Sequence, residues 1–374
     1  MRLNLTRKLE KHRGYVNTLS FSADGDILVS GSDDRQVILW DWETGSVKLA
    51  FDSGHSHNVY QAKIMPETDE RRIITCAADG QVRHATILEC GNVETKLLSK
   101  HDGRAHKLAN EHNSPHILYS CGEDGLVQHF DLRTGEPTKL FTCQLVRAFS
   151  YMSVVHLNDI AIDPRNPNLF VVGGSDEFTR LYDIRKYKYN SSADFGEPAD
   201  YFCPRHLLGD EDVKITGLAF SEHSELLVSY AEEFIYCFSN KDMGWGNDVS
   251  TILADHLTVE SDVEMETDSK PGPQLFMGHR NCVTAKRVSF FGPKCEYVSS
   301  GSDCGRIFIW RKKDAKLVRL IEAEKEVVNC IEAHPDIPML ASSSIDKDIK
   351  IWTPTALEKG ILPFKRIRIM NFGE

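Results

Sequence analysis

The feature that most constrains the fold of this 374-residue chain is a short pattern that recurs along it. Each copy has an apolar segment, an exit of small residues, an acidic residue, and a second apolar segment that ends in an aromatic residue. The pattern is clearest at residues 28–40, 170–182, 298–310 and 340–352. Two short apolar runs joined by a turn of small and acidic residues are typical of a β-hairpin. The sequence therefore predicts an all-β chain built from repeated hairpins.

The acidic turn residue, which stands six positions before the closing aromatic, gives the number of repeats. The seven positions that mark the turn are Asp34, Asp79, Asp124, Asp176, Glu232, Cys304 and Asp346. They are spaced by 45, 45, 52, 56, 72 and 42 residues, and a period of about 40–45 residues is the length of one four-stranded propeller blade. We therefore predict a seven-bladed β-propeller. Two marks are imperfect, because Asp79 precedes Ala85 instead of an aromatic and Cys304 replaces the acid.

Closure of the ring is the next requirement, because an open ring would leave edge strands unpaired. The Thr353-Pro354 pair after Trp352 does not resemble a strand, whereas residues 3–10 do. We expect residues 3–10 to supply the outer strand of the last blade, with the propeller spanning residues 1–356 and a tail spanning 357–374.

One insertion departs from the repeat. Residues 241–272 carry eight acidic side chains against two lysines. A segment of this composition buries too little apolar surface to offset its ordering entropy. We expect a disordered acidic loop within the propeller, which serves either as a solvated surface or as a docking segment.

Each hairpin also has residues that can form a buried hydrogen-bond network. In the first repeat these are His12, Ser30, Asp34 and Trp40. Because unpaired buried polar groups are costly, a complete network would fix the hairpin register. The same role is predicted for residues of later repeats, namely His279, Trp310, Asp346 and Trp352. Ser, His and Asp also form catalytic triads, but a set that recurs, is buried and includes an indole favours a structural role.

Composition and motifs exclude several function classes. A net charge of -11 argues against a general binder of nucleic acid or anionic membranes. The chain lacks the nucleophile elbow, the phosphate loop and the His-Glu-x-x-His motif. His112 and His116 are spaced like metal ligands, but Pro115 disfavours the helix that would bring them together. We expect no catalytic activity, no cofactor and no metal site.

The remaining candidate site is a surface. Residues that flank the first apolar position of each inner strand should point to one face of the ring, called here the top face, and to the mouth of the central channel. They are Tyr15, Asn17, Asn58, Tyr60, Arg104, His106, His156 and Asn158. Tyr, Arg, His and Asn suit protein interfaces, which predicts a protein-binding surface. The alternative is a merely hydrated funnel.

The repeats resemble the WD-repeat family, whose blades carry a Gly-His pair and a Trp-Asp pair. Gly278-His279 and Trp40-Asp41 match these pairs in full. Two neighbouring repeats also end in an aromatic, an acid, an aliphatic and an arginine, at residues 130–133 and 182–185. With the preceding strands they resemble the box that marks substrate receptors of cullin-4 RING ubiquitin ligases. Stretches such as 30–34, 58–62 and 300–305 are similar to the cullin-4-associated factors, in particular the one numbered eight and its plant relatives.

This resemblance implies a non-catalytic substrate receptor of nucleus and cytoplasm that recruits proteins for ubiquitination. It would dock on the ligase adaptor, the damaged-DNA-binding protein 1, in a complex with cullin-4. By the same resemblance, Asp131, Arg133, Asp183 and Arg185 would contact the adaptor. Arginine suits this task because its planar fork can pair a carboxylate or several carbonyls. The alternative is a general WD-repeat scaffold for another complex, without ligase association.

Overall fold

The computed structural model describes residues 3–112, 114–146, 154–187, 196–239, 243–246, 249 and 272–354. Their strands form seven antiparallel sheets of four strands each, which confirms the all-β, seven-bladed propeller. Short 3-10 helices occur at Ile184–Lys186, Arg205–Leu207 and Lys312–Asp314. Within these residues, no helix is long and apolar enough to cross a membrane. The predicted tail at 357–374 and most of the predicted acidic loop at 241–272 lie outside the described residues.

In blades 1 to 6 the four strands follow one another along the chain, from the inner strand at the channel to the outer strand at the rim. Blades 1 to 3 contain, in that order, β2 (Val16–Phe21), β3 (Ile27–Ser32), β4 (Gln36–Asp41), β5 (Ser46–Asp52); β6 (Val59–Ile64), β7 (Arg72–Ala77), β8 (Gln81–Ile87), β9 (Val93–Lys100); β10 (Ala105–Asn110), β11 (Ile117–Gly122), β12 (Leu126–Asp131) and β13 (Pro137–Thr142). Blades 4 to 6 contain β14 (Leu157–Ile162), β15 (Leu169–Gly174), β16 (Thr179–Asp183), β17 (Asp200–Phe202); β18 (Ile215–Phe220), β19 (Leu226–Tyr230), β20 (Ile235–Phe238), β21 (Gln274–Phe276); β22 (Val288–Phe291), β23 (Tyr297–Ser300), β24 (Arg306–Arg311) and β25 (Lys316–Glu322).

Blade 7 combines strands from distant parts of the chain. Its first three strands are β26 (Val328–Ala333), β27 (Leu340–Ser344) and β28 (Asp348–Thr353), and its outer strand is β1 (Asn4–Glu10). β1 pairs antiparallel with β28, from Asn4 opposite Thr353 to Glu10 opposite Asp348. The N-terminal strand therefore lies in the last blade. That this pairing is what holds the ring closed stays a prediction.

The inner strands share a geometry that shapes the channel. In every blade except the sixth, a β-bulge follows the first buried residue of the inner strand, as between Val16 and Thr18 in β2. A bulge changes the direction in which the following side chains point. In β6 the second and fifth residues, Tyr60 and Lys63, are partly exposed while their neighbours are buried. These two positions face the channel.

The hydrophobic core lies between neighbouring blades. Trp40 of blade 1 packs in one cluster with Leu9 and Ile349 of blade 7. Tyr119 of blade 3 packs in another with Phe170 of blade 4. Because each blade buries a face against the next one, the ring presents its loops on two opposite faces and leaves its sheets to make the core.

Candidate protein-binding faces

The connectivity separates the predicted site residues into two surfaces. Because the strands of a blade are antiparallel, the loop before each inner strand and the turn after the second strand lie on the top face. The other two loops lie on the opposite face, called here the bottom face. Tyr15 precedes β2 and lies at the top, whereas Asp131 ends the third strand of blade 3 and lies at the bottom. The predicted substrate and adaptor surfaces are therefore on opposite sides of the ring.

On the bottom face, Arg133 is held by Asp131 of its own blade. The Nε of Arg133 donates to Asp131 Oδ1 at 2.9 Å and its NH2 group donates to Oδ2 at 2.7 Å. The backbone N–H of Arg133 also donates to Asp131 Oδ1, at 3.0 Å. These contacts from Arg133 lower the pKa of Asp131 to about 2. The arginine side chain is nevertheless 63% exposed, so an ordered guanidinium faces solvent.

Blade 4 repeats this arrangement one position around the ring. Asp183 ends β16 and accepts the backbone N–H of Arg185 at 3.0 Å, which caps the 3-10 helix that follows. The Nε and NH2 groups of Arg185 donate to Asp183 at 2.9 and 2.6 Å. The Arg185 side chain is 65% exposed, and its hydrogen bonds lower the pKa of Asp183. Arg133 and Arg185 thus form a matched pair, the bottom-face arginine pair.

On the top face, three of the predicted residues come together between blades 2 and 3. The Tyr60 and His106 rings stack with centroids 5.3 Å apart and an interplanar angle of 9°. His106 Nε2 lies 3.2 Å from Glu123 Oε1, and Arg104 Nε lies 3.8 Å from the same oxygen. Burial lowers the pKa of His106. We call Tyr60, Arg104, His106 and Glu123 the top-face cluster.

Other predicted top-face residues contact their own or neighbouring blades. Asn17 donates to Asp33 Oδ1 at 2.7 Å and to the carbonyl of Val59 in blade 2 at 3.1 Å. Asn158 donates to the carbonyl of Ile215 in blade 5 at 2.8 Å. These amides join neighbouring blades at the channel mouth. The exposed members are Tyr15, which is 47% exposed, and His156, while Asn58 is half-buried.

The sequence interpretation missed the two acids that organise this face. Asp33 holds Asn17, and Glu123 holds His106 and Arg104. A signal for both was present, because each directly precedes a turn aspartate, in Asp33-Asp34 and in Glu123-Asp124. A doubled acid at the turn thus supplies one carboxylate to the hairpin and one to the surface.

The hydrogen-bond network of blade 1 contains all four expected side chains. His12 Nδ1 lies 3.1 Å from Asp34 Oδ2, and His12 Nε2 lies 2.8 Å from Ser30 Oγ. Trp40 Nε1 donates to the same Ser30 oxygen at 2.8 Å. A neutral histidine satisfies this chain when Nδ1 donates to the carboxylate and Nε2 accepts the serine hydroxyl proton.

Blades 2 and 3 contain the same network without a tryptophan. His55 bridges Asp79 at 3.0 Å and Thr75 at 2.9 Å. His101 bridges Asp124 at 2.9 Å and Ser120 at 2.8 Å. Blade 2 therefore has an intact network although Ala85 replaces the aromatic residue that closes the other hairpins, because the network does not need that residue.

The expectation for blade 6 is wrong, because Cys304 stands where the other blades have a carboxylate. Neither ring nitrogen of His279 has a hydrogen-bond partner among the described residues, and burial lowers its pKa to about 4. Trp310 Nε1 donates instead to the carbonyl of Met277, at 2.9 Å. The blade holds its polar groups differently, through a buried ion pair at 2.5 Å between Lys286 and Asp303.

In blade 7 the tryptophan pairs with a strand serine as in blade 1, but Asp346 does not take part in a histidine network. Trp352 Nε1 donates to Ser342 Oγ at 2.9 Å. Asp346 is exposed, and the histidine position of this blade holds Glu324, which forms an ion pair with Lys350. Asp346 therefore faces a carboxylate and has no histidine to hold. This substitution removes the donor on which the network depends.

A family model and several known proteins are similar in sequence to parts of this chain. The family model described as "WD domain, G-beta repeat" matches residues 3–41 and 315–353. The protein ALTERED SEED GERMINATION 2 of Arabidopsis thaliana is 32% identical over 266 residues, which cover 63% of this chain and 35% of that protein. DDB1- and CUL4-associated factor 6 of Homo sapiens is 31% identical over 256 residues, which cover 64% of this chain and 28% of that protein.

A third relative extends the comparison. WD and tetratricopeptide repeats protein 1 of Homo sapiens is 30% identical over 264 residues, which cover 63% of this chain and 38% of that protein. The chain thus spans between 28% and 38% of the length of these relatives. Both the fold and the relatives are consistent with a non-catalytic scaffold or receptor. The chain is a seven-bladed propeller with WD40 repeats, homologous to DDB1- and CUL4-associated factor 6 and to a plant relative.

Proposed function

We propose that this chain is the propeller of a substrate receptor for a cullin-4 RING ubiquitin ligase. Its bottom-face arginine pair docks on the adaptor, damaged-DNA-binding protein 1, and its top face selects the protein to be ubiquitinated. The chain transfers no ubiquitin itself. In this role it works in nucleus and cytoplasm, and it needs neither nucleic acid nor a membrane as a partner.

The observation that carries this proposal is the pair of matched arginine forks on neighbouring blades of a propeller whose relatives include a DDB1- and CUL4-associated factor. Each guanidinium is ordered by a carboxylate of its own blade and is still more than half exposed. An ordered side chain loses less entropy on binding than a free one. A partner that offers carboxylate or carbonyl oxygens would therefore be bound by two preformed donors.

The top face supports the second half of the proposal. Its cluster places an aromatic stack beside Arg104, with Tyr15 exposed on the adjoining blade. Tyr and Arg are enriched among the residues that dominate protein interfaces. Because this surface lies on the side of the ring opposite to the arginine pair, adaptor and substrate would bind without competing for space.

The test measures binding of the purified chain to purified adaptor by biolayer interferometry. We expect Arg133→Ala combined with Arg185→Ala to weaken binding by at least about tenfold, because each truncation removes an interface arginine. The matched control is Arg311→Ala. Arg311 also forks onto an acid, with Nε 2.9 Å from Asp314 Oδ1, and its side chain is 47% exposed, but it belongs to blade 6.

The outcomes separate the two candidate functions. Absence of adaptor binding by the unmodified chain contradicts the receptor role and leaves the general WD-repeat scaffold. Equal binding by the double variant and the control would retain the receptor role and remove the arginine pair from it.

A further inference from the structure

The central channel contains a level at which most side chains are small. This level is formed by the fifth residue of each inner strand, counted from the first buried residue of that strand. In blade 6 the equivalent residue is identified from the strand register. The seven residues are Ser20, Lys63, Ala109, Ala161, Ala219, Ser289 and Glu332. Five of these seven side chains are serine or alanine. The two long ones, Lys63 and Glu332, are partly exposed to the channel.

Two cations in the channel, Lys63 at this level and Arg287 two residues before Ser289, are held by neutral groups. The ammonium of Lys63 donates to Asn110 Oδ1 at 3.2 Å. Arg287 reaches from blade 6 to blade 1, where its NH1 group donates to the Leu19 carbonyl at 3.2 Å and its NH2 group donates to Thr18 Oγ1 at 3.1 Å. In the part of the chain that the structure describes, neither cation has a carboxylate oxygen within 4.0 Å.

The other charged groups of the channel do not balance them. Lys107 has its own partner, because its ammonium lies 3.1 Å from Asp159 Oδ2. That leaves Lys63 and Arg287 against the single carboxylate of Glu332, whose pKa is raised by burial. Burial also lowers the pKa of Lys63 to about 8. Taking a cation out of water is costly unless a counter-ion compensates.

We propose that the channel binds a small tetrahedral oxyanion of the sulfate or phosphate class, held by Lys63 and Arg287. The ammonium and the guanidinium each donate to its oxygens, and Asn110 orients Lys63. Charge-assisted hydrogen bonds of this kind are the strong ones. The site lies inside the ring and is distinct from the bottom-face arginine pair, so it does not depend on the proposed receptor role.

The experiment is isothermal titration calorimetry of the whole chain with sodium sulfate, compared with sodium chloride at equal ionic strength. We expect saturable binding of sulfate alone. Lys63→Met should weaken it at least about tenfold, because one charged donor is lost, and Lys63→Arg should retain it. The matched control is Lys96→Met, which removes an exposed lysine from the outer strand of the same blade and should bind sulfate like the unmodified chain.

A second measurement keeps the proposal testable if Lys63→Met does not fold. Sulfate stays doubly charged between about pH 6 and 9, so a loss of affinity as the pH rises through about 8 would report loss of the Lys63 proton. The charged groups that face Lys63 are Lys107, Asp159, Arg287 and Glu332. Three results would overturn the proposal: a heat of binding that chloride reproduces, an affinity for sulfate that Lys63→Met leaves unchanged, or an affinity that stays constant across this pH range.

Discussion

Blades 1 to 3 and blade 6 satisfy the same structural need with different chemistry. In blades 1 to 3 a buried histidine joins the turn aspartate to a strand hydroxyl, and the network contains no lysine or arginine. In blade 6 the turn acid is missing, the histidine has no partner among the described residues, and a buried lysine–aspartate pair stands nearby. The polar side chains at the top of the hairpin thus differ between blades, and several residue types can pair there.

Blades 4 and 7 extend this comparison. In blade 4 the turn residue Asp176 is paired with Arg180, a residue of β16 that is 1% exposed. In blade 7 Lys350 of β28 binds both Glu324 and Asp348. A histidine network contains no lysine or arginine, whereas a buried ion pair leaves a costly unpaired charge if one partner is removed. The blades should therefore differ in how they respond to mutation and to pH.

The largest effect is expected from blade 7, which alone depends on a strand from the start of the chain. Deletion of residues 1–10 removes β1 and the buried side chains of Leu3 and Leu9, each 1% exposed. The two leucines alone contribute roughly 3–6 kcal/mol, and the ladder with β28 is lost as well. We expect a sharp fall in melting temperature, with deletion of residues 357–374 as the control. An unchanged melting temperature would contradict the closing role of β1.

The next effect compares the two kinds of polar group directly. Asp303→Ala leaves the ammonium of Lys286, which is 0% exposed, without its carboxylate. We expect a loss of about 3–5 kcal/mol in the free energy of unfolding. Asp34→Ala leaves His12 Nδ1 and the backbone N–H groups of Arg13 and Gln36 without their acceptor, but it strands no buried ammonium, and it should cost about 1–3 kcal/mol. Urea unfolding of both variants is the measurement. If Asp34→Ala proves the more costly, the distinction between the histidine networks and the buried lysine–aspartate pair is wrong.

The pH dependence of stability should also differ between blades. Burial raises the pKa of Asp34, but hydrogen bonds with His12 and the backbone N–H of Arg13 lower it further, to below its ordinary value. Its folded pKa lies below the unfolded one, so its stabilisation is present at neutral pH and is lost only in acid, as the pH falls through the folded pKa. Asp34 should therefore contribute no pH dependence of stability between about 5 and 8. His55 in blade 2 should contribute some, because burial lowers its pKa and stability is then lost as the pH falls below the ordinary pKa of histidine.

In blade 7 the stability should change with pH in the opposite direction, decreasing as the pH rises. Burial, with the neighbouring Asp346 adding to it and Lys350 opposing it, raises the pKa of Glu324 from 4.5 to about 7. Stability from this group is present below the unfolded pKa and is lost as the pH rises through about 7. Between pH 4.5 and about 7, the free energy of unfolding of the unmodified chain should fall by roughly 1–3 kcal/mol relative to that of Glu324→Gln. Parallel stability curves for the two proteins would contradict this.

The contacts that sequence could and could not predict differ in whether the repeat pattern marks both partners. The hairpins, their number and the pairing of His12, Ser30, Asp34 and Trp40 follow from a local pattern in which all members lie within one blade. The ion pair of Lys286 and the reach of Arg287 to blade 1 join residues whose partners no repeat pattern specifies.

The sequence of blade 4 contains a further signal of its polar pairing. Arg180 lies four residues after its turn acid, at a strand position where blade 1 has Ile38. Lys350 of blade 7 holds the same position relative to Asp346. A cation in a buried strand requires a carboxylate nearby, so these two residues mark blades in which a charged pair replaces histidine. The site residues on the two faces were placed by strand position alone, and their partners were not.

The smallest effect, and the sharpest test of the comparison, is repair of the network in blade 6. Cys304→Asp would provide the carboxylate that His279 lacks, at the position where blade 1 has Asp34. We expect a gain of about 1 kcal/mol, the net value of a typical internal hydrogen bond, and a rise in the pKa of His279 from about 4. Cys304→Ser is the matched control, because it removes the thiol without adding a charge. The double variant with His279→Ala isolates the coupling between the two positions. If the gain in stability persists without His279, the introduced carboxylate acts through some other group. The histidine would then not be the residue that distinguishes blades 1 to 3 from blade 6.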